Sequence, residues 1–135
     1  MSSPGRRVAQ ALDALRHGWP ITLEGAFTLL PAETGLGEAR ARTMLISAAR
    51  AVTLKLANQR EAAVPEAPVL IRAAEPFDLA AARALADPAL DLVYPMKGPF
   101  LAEPLDHGEA ARAAMELARL AGILPAFLVD PEPVG

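Results

Sequence analysis

Any chemistry in this chain must come from a short list of side chains. Its 135 residues include two histidines and no cysteine, which removes disulfides, thiolate metal sites and thiol nucleophiles together and leaves little material for a metal centre. The densest grouping of acid and imidazole is Asp106-His107-Gly108-Glu109. Those types at that spacing suit a helix start: Asp106 can accept the free N–H groups of a first turn, Glu109 can reach back three residues as in a capping box, and His107 at the first helical position faces water. His17 falls in the last turn of another expected helix, where an imidazole interacts with the negative end of the dipole, and is read that way ahead of a ligand role. Arg40, Arg42, Arg50, Lys55 and Arg60 form one basic stretch, read as a solvated face ahead of a phosphate or partner contact. Trp19 and Tyr94 are expected to bridge core and surface. No Ser-His-acid spacing suggests an activated nucleophile, and no glycine pattern marks a phosphate loop.

The elements that would position these groups alternate between helices and short apolar runs. Val8, Ala11, Leu12 and Leu15 recur at helical spacing, with Ser3-Pro4 as a start and Gly18 as a stop, and a strand follows directly, ending at Leu23. Phe27 to Leu30 reads as a second strand. A helix is expected over Leu36 to Ala48 with Thr34 as its cap, then a strand over Ala51 to Leu56, a turn-rich connector at Val64 to Pro68 and a strand at Val69 to Ile71. Asp78 caps a short helix ending at Ala86, with Leu79, Ala82 and Leu85 inward. A strand near Leu92 to Met96 precedes the helix that starts at Asp106. On that helix Glu109, Arg112, Glu116 and Arg119 make a charged face, while Ala110, Ala113, Ala114, Leu117 and Ala121 trace an apolar stripe. Gly122 ends it, Pro125 forces an extended chain, and Ala126 to Val129 is a run of the kind buried on both faces. This alternation predicts an α/β (α+β) fold, a mixed sheet covered by helices, with residues 1–130 as one domain and 131–135 as the start of a linker.

Composition bounds the remaining choices. A chain that is 53% hydrophobic with a mean hydropathy of +0.25 and of common domain length has the means to bury a core. A net charge of −3 and a pI near 5.4 give no basic footprint for nucleic acid or an anionic membrane. No run approaches the roughly 20 apolar residues of a membrane span, and the opening residues lack the apolar stretch of a signal peptide, so the cytoplasm is the expected compartment.

Beyond these readings, the wording from Asp106 to Asp130 resembles the C-terminal signature of 3,4-dihydroxy-2-butanone 4-phosphate synthase, a riboflavin-pathway enzyme, gap-free from Leu117 to Ala126. Val8 to Leu23 is a fainter echo of that family's opening. In the family, a His of the signature ligates magnesium and a Glu at the end of the strand is catalytic; the matching positions are Ala110 and Pro131. A small shift of register would bring His107 or Glu109, and Asp130 or Glu132, near those places. The family's acidic loop after the first strand is reduced to Glu24-Gly25, and its middle motif is replaced by Ile71 to Phe77. Ala84 to Pro88 and Asp91 to Phe100 resemble, more narrowly, the degenerate amino-terminal domain fused ahead of GTP cyclohydrolase II in some bacteria.

What this resemblance implies is a synthase-like fold with no catalytic residue, no cofactor-binding residue and no metal ligand, hence no cofactor. Lys97 would lie where active synthases bind substrate and is the single candidate anion contact, with Arg72 as a possible companion. Because active synthases are homodimers, it also implies a homodimer, with a covalently linked or separate GTP cyclohydrolase II domain as partner. The expected function is a non-catalytic structural or dimerisation domain of a riboflavin-biosynthesis protein. The alternatives are a diverged sugar-phosphate lyase or isomerase, and a sensor that uses the old pocket.

Overall fold

The computed structural model describes residues 4–23, 26–53, 67–87, 89, 100–105 and 107–133. Helix α1 spans Pro4–His17, followed by strands β1 (Ile21–Leu23), β2 (Phe27–Pro31) and β3 (Ala39–Ile46). Helix α2 (Ala48–Thr53), strand β4 (Val69–Asp78), helix α3 (Leu79–Ala86) and strand β5 (Phe100–Glu103) come next, and α4 (Gly108–Ala121), β6 (Ala126–Val129) and β7 (Glu132–Pro133) complete the order. The strands form one sheet in the order β1-β2-β6-β3-β4-β5, with β7 added beside β3.

Every pairing among the described strands is antiparallel, so the expected mixed sheet is corrected to an antiparallel one. The cause is where β6 goes. Strands β2 and β3 point the same way and leave a slot between them, and β6 enters it running opposite to both. Glu132–Pro133, in the stretch read as the beginning of a linker, pairs with Ala39–Arg40.

Strand alternation divides the interior into two cores. Leu29, Leu45, Phe127 and Val129 face Leu15 of α1 and Ala111, Ala114, Ala118 and Ala121 of α4. Leu30, Met44, Ile46, Ile71, Ala126 and Leu128 face Leu79, Ala82 and Leu85 of α3 and Ala51 of α2. Helices therefore cover both faces of the sheet. Alanines at spacings of three and four let α4 lie close on its neighbours. The buried stripe is turned by one residue from the expected one: Ala111 and Ala118 are buried and Ala113 is exposed, while Ala114 and Ala121 are inward as expected.

Two expected elements have the opposite type. Of the expected helix Leu36 to Ala48 only Ala48 is helical, as the first residue of α2, because β3 occupies Ala39–Ile46 with Arg40 and Arg42 outward and Ala41 inward. There, pairing on both sides outweighs the helix-forming tendency of an Ala-Arg-rich run. Conversely, Ala51 to Thr53 belong to α2 and not to a strand, because Ser47 caps that helix by accepting the Arg50 N–H at 3.1 Å; residues 54–56 lie outside the described residues. Also outside them are the expected strand at Leu92 to Met96, with Tyr94, and the acidic remnant Glu24-Gly25. Strand β4 runs on to Asp78, well past Ile71. Asp78 caps α3 as expected, accepting the Ala81 N–H at 2.7 Å.

The start of α4 also departs from expectation. His107, not Asp106, is its cap residue and makes no side-chain capping bond, and the helix begins at Gly108; Asp106 lies outside the described residues.

Helices α1 and α4 end alike. Gly122 has φ of 77° and donates to the Arg119 carbonyl at 3.2 Å while Ile123 donates to Ala118 at 3.0 Å. Gly18, with φ of 78°, and Trp19 make the equivalent bonds to Leu15 and Ala14. Both are Schellman closures. Arg16 adds a tie between the helices, donating to the Ala121 and Leu120 carbonyls, each at 3.2 Å. Thr34, expected as a helix cap, instead donates its hydroxyl to the Leu15 carbonyl at 2.5 Å.

The two glycines differ in their surroundings, and that difference is measurable. A Cβ at Gly18 would stand 2.1 Å from the Thr34 carbonyl oxygen, whereas one at Gly122 would meet nothing within 4 Å. Urea melts are expected to show Gly122→Ala costing about 1 kcal/mol and Gly18→Ala more than about 2 kcal/mol.

Candidate functional site

The antiparallel topology brings to one end of the sheet the positions that the sequence singles out. Strand β1 ends and β2 begins there, β6 ends there, α4 begins there, and β4 runs towards it. Ala110, in the first turn of α4, is half-buried and packs against the α1–α4 core. Pro131 follows Asp130, whose φ of 48° turns the chain between β6 and β7. Neither side chain carries a group able to ligate a metal or move a proton.

The nearby residues that a register shift would recruit have other engagements. His107 is exposed and sets its ring edge-on to Phe27, with centroids 5.9 Å apart. Asp130 accepts the Thr28 N–H on its carboxylate at 2.9 Å and donates its own N–H to the Thr28 carbonyl at 2.7 Å, which closes the β2–β6 pair. Glu109 and Glu132 are exposed. Among the described residues no group of three or more His, Cys, Asp or Glu could hold a metal ion.

The basic stretch does not stay together. Arg50 is buried, 7% exposed, and donates its Nε to the Leu85 carbonyl at 2.7 Å, tying α2 to the end of α3. That corrects the solvated-face reading for this residue. Arg40 and Arg42 are exposed on β3, and Lys55 and Arg60 lie outside the described residues, as does Lys97. Arg72 sits on β4 paired with Glu103 of β5 at 2.9 Å, and it shares a groove with Arg42. Sequence reading had no means of joining those two arginines, because their proximity depends on the β3–β4 register. His17 closes onto its own helix, Nδ1 lying 2.7 Å from the Asp13 carbonyl oxygen, and stacks on the half-exposed Trp19 at 4.7 Å.

A larger groove, about 730 Å³, lies at the opposite end, where Ser47 and Pro68 face Arg112, Met115 and Arg119 of α4. Arg119 donates to Glu116 through Nε at 3.0 Å and also through Nη2. This hydrogen bond, with the cation's charge, holds the Glu116 carboxyl below the usual glutamate range. Comparison of the chain with protein-family models, curated proteins and solved structures returns no match.

A carboxyl whose pKa is depressed on folding adds stability above its unfolded pKa and loses it as pH falls through the folded one. The Glu116–Arg119 pair is exposed, so solvent screens its contribution. Carbon-detected NMR titration is expected to place Glu116 below an ordinary glutamate, and Arg119→Ala to return it to that range with the other carboxylates unmoved.

Proposed function

We propose that this chain is a non-catalytic structural domain related to 3,4-dihydroxy-2-butanone 4-phosphate synthase, serving as the dimerising amino-terminal module of a riboflavin protein of the GTP cyclohydrolase II type. One observation carries the reading. The positions corresponding to the family's metal-binding His and catalytic Glu stand at the start of α4 and just after β6, and because these consecutive elements fold back on each other, both lie at one end of one sheet. That is the arrangement expected of a former active site. The side chains at those two positions are Ala110 and Pro131, which cannot ligate magnesium or relay a proton.

The dimerising role is supported by exposed apolar surface. Trp19 and Leu36 are 52% and 66% exposed, and Leu36 lies against Gly18, which immediately precedes Trp19. A partner that covers this surface would remove it from water. Within the proposal, the downstream cyclohydrolase domain does the chemistry and this domain holds two copies together.

Purified chain supplied with ribulose 5-phosphate and magnesium is expected to release no formate and form no four-carbon phosphate; clear turnover would overturn the non-catalytic reading. Sedimentation equilibrium at tens of micromolar is expected to return the dimer mass, and Trp19→Ser to shift the population towards monomer. A wild-type chain that sediments only as monomer counts against the dimerising role while leaving the absence of catalysis intact.

A further inference from the structure

A groove of about 580 Å³ beside β4 serves neither the two cores nor the proposed dimerising role. Its shape comes from an irregularity in the sheet. Between the pairs Ala41↔Phe77 and Thr43↔Arg72, β4 advances five positions while β3 advances two. The excess pushes Ala74, Glu75 and Pro76 out of the β3 ladder, and all three are exposed. A concavity opens between this bulge and the neighbouring strands, lined by Arg42, Arg72, Ala73, Ala74, Pro76 and Leu101.

The lining has two chemical halves. Arg42 from β3 and Arg72 from β4 supply guanidinium groups, and Leu101, 58% exposed, supplies an apolar surface together with Pro76. Register places Leu101 directly across from Arg72, so the two halves adjoin. Glu103 engages Arg72 through Nε at 2.9 Å, which fixes the side chain while a guanidinium's other donors remain. Arg42 has no ion-pair partner among the described residues. The lining therefore holds two guanidinium groups and an exposed leucine, with Glu103 on Arg72 and Glu75 on the exposed bulge but not in the lining, so Arg42 is the cation that an incoming anion would meet.

We propose that this groove binds a small oxyanion, phosphate or carboxylate, carried on an apolar body. Charge-assisted bonds to paired guanidinium groups are the usual means of holding such a head group, and Leu101 and Pro76 would shield the body from water. The proposal goes beyond the structural role and does not rest on it, because it requires neither a relationship to the synthases nor a dimer.

Calorimetric titration with phenyl phosphate, benzoate and inorganic phosphate tests it on the whole chain. Phenyl phosphate or benzoate is expected to saturate below about 10 mM, the tighter of the two identifying the head group. Arg42→Ala and Arg72→Ala are each expected to weaken that probe at least about tenfold, with unchanged circular dichroism and melting. Leu101→Ser should weaken the aromatic probe and leave inorganic phosphate alone. In the unmodified chain the arginine Nε–H resonances of Arg42 and Arg72 should move during titration, a readout that needs no variant to fold. Absence of saturation with both aromatic probes, affinity indifferent to either arginine substitution, or Nε–H resonances that stay still would overturn the proposal.

Discussion

The structure depends on a four-residue strand. Ala126 to Val129 is buried at every position, hydrogen-bonded to β2 on one side and β3 on the other, with alternate side chains committed to different cores. Such a strand cannot slip. A shift of one residue would exchange Phe127 and Val129 with Ala126 and Leu128 between a core shaped around the small residues of α4 and one shaped around the leucines of α3. Because β2 and β3 are held apart by β6 and not paired with each other, the sheet closes only when the last third of the chain arrives. Folding is thereby coupled across most of the chain, from Thr28 to Asp130.

Helix α4 is the partner of that constraint. It hands the chain to β6 through the Gly122 closure, and its four inward alanines set how near it can lie to α1 and the sheet. Arg16 then links the last carbonyls of α4 to α1, and Thr34 satisfies a carbonyl at the end of α1. These ties gather at the helix C-termini, where partial negative charge accumulates and a cation or hydroxyl donor is most useful. The opposite end of α4 has no side-chain cap, only His107 resting on Phe27.

Much of the fold was legible in the sequence because its signals are local. Gly18 and Gly122 as stops, Asp78 as a cap, the inward leucines of α3 and the doubly buried run at Ala126 to Val129 each rest on a few adjacent residues. Failure came where distant pairing decides. The Ala-Arg alternation of β3 favours helix locally and becomes a strand because β4 and β6 flank it; Ser47, three residues ahead of Arg50, was a readable cap signal for α2 that the strand-like valine and leucine beyond it obscured. The buried face of α4 differs by a single residue from the one its spacing predicts, since an alanine-rich helix carries little contrast between its sides. Polar residues at the candidate site were harder still. Arg50 belongs to the interior and Arg42 meets Arg72 only through a bulge, and neither fact has a counterpart in residue spacing.

Where a side chain sits in a fold bears on how freely it can change while the architecture is kept. Ala110 and Pro131 stand at element ends: the first turn of α4 and the turn after β6. Neither holds a ladder position in the central strand, and neither is among the fully buried side chains. Substitution at such places leaves the β2–β6–β3 register untouched and reaches the cores only at the edge, where Ala110 packs against the α1–α4 core, because turns and helix starts tolerate changes that a doubly buried strand does not. Asp130 is the exception that defines the boundary. Its carboxylate and N–H both bind Thr28, so this residue is polar for the sheet's own sake. An exposed acidic residue at a strand end is therefore weak evidence of catalysis until its hydrogen bonds to the backbone have been counted.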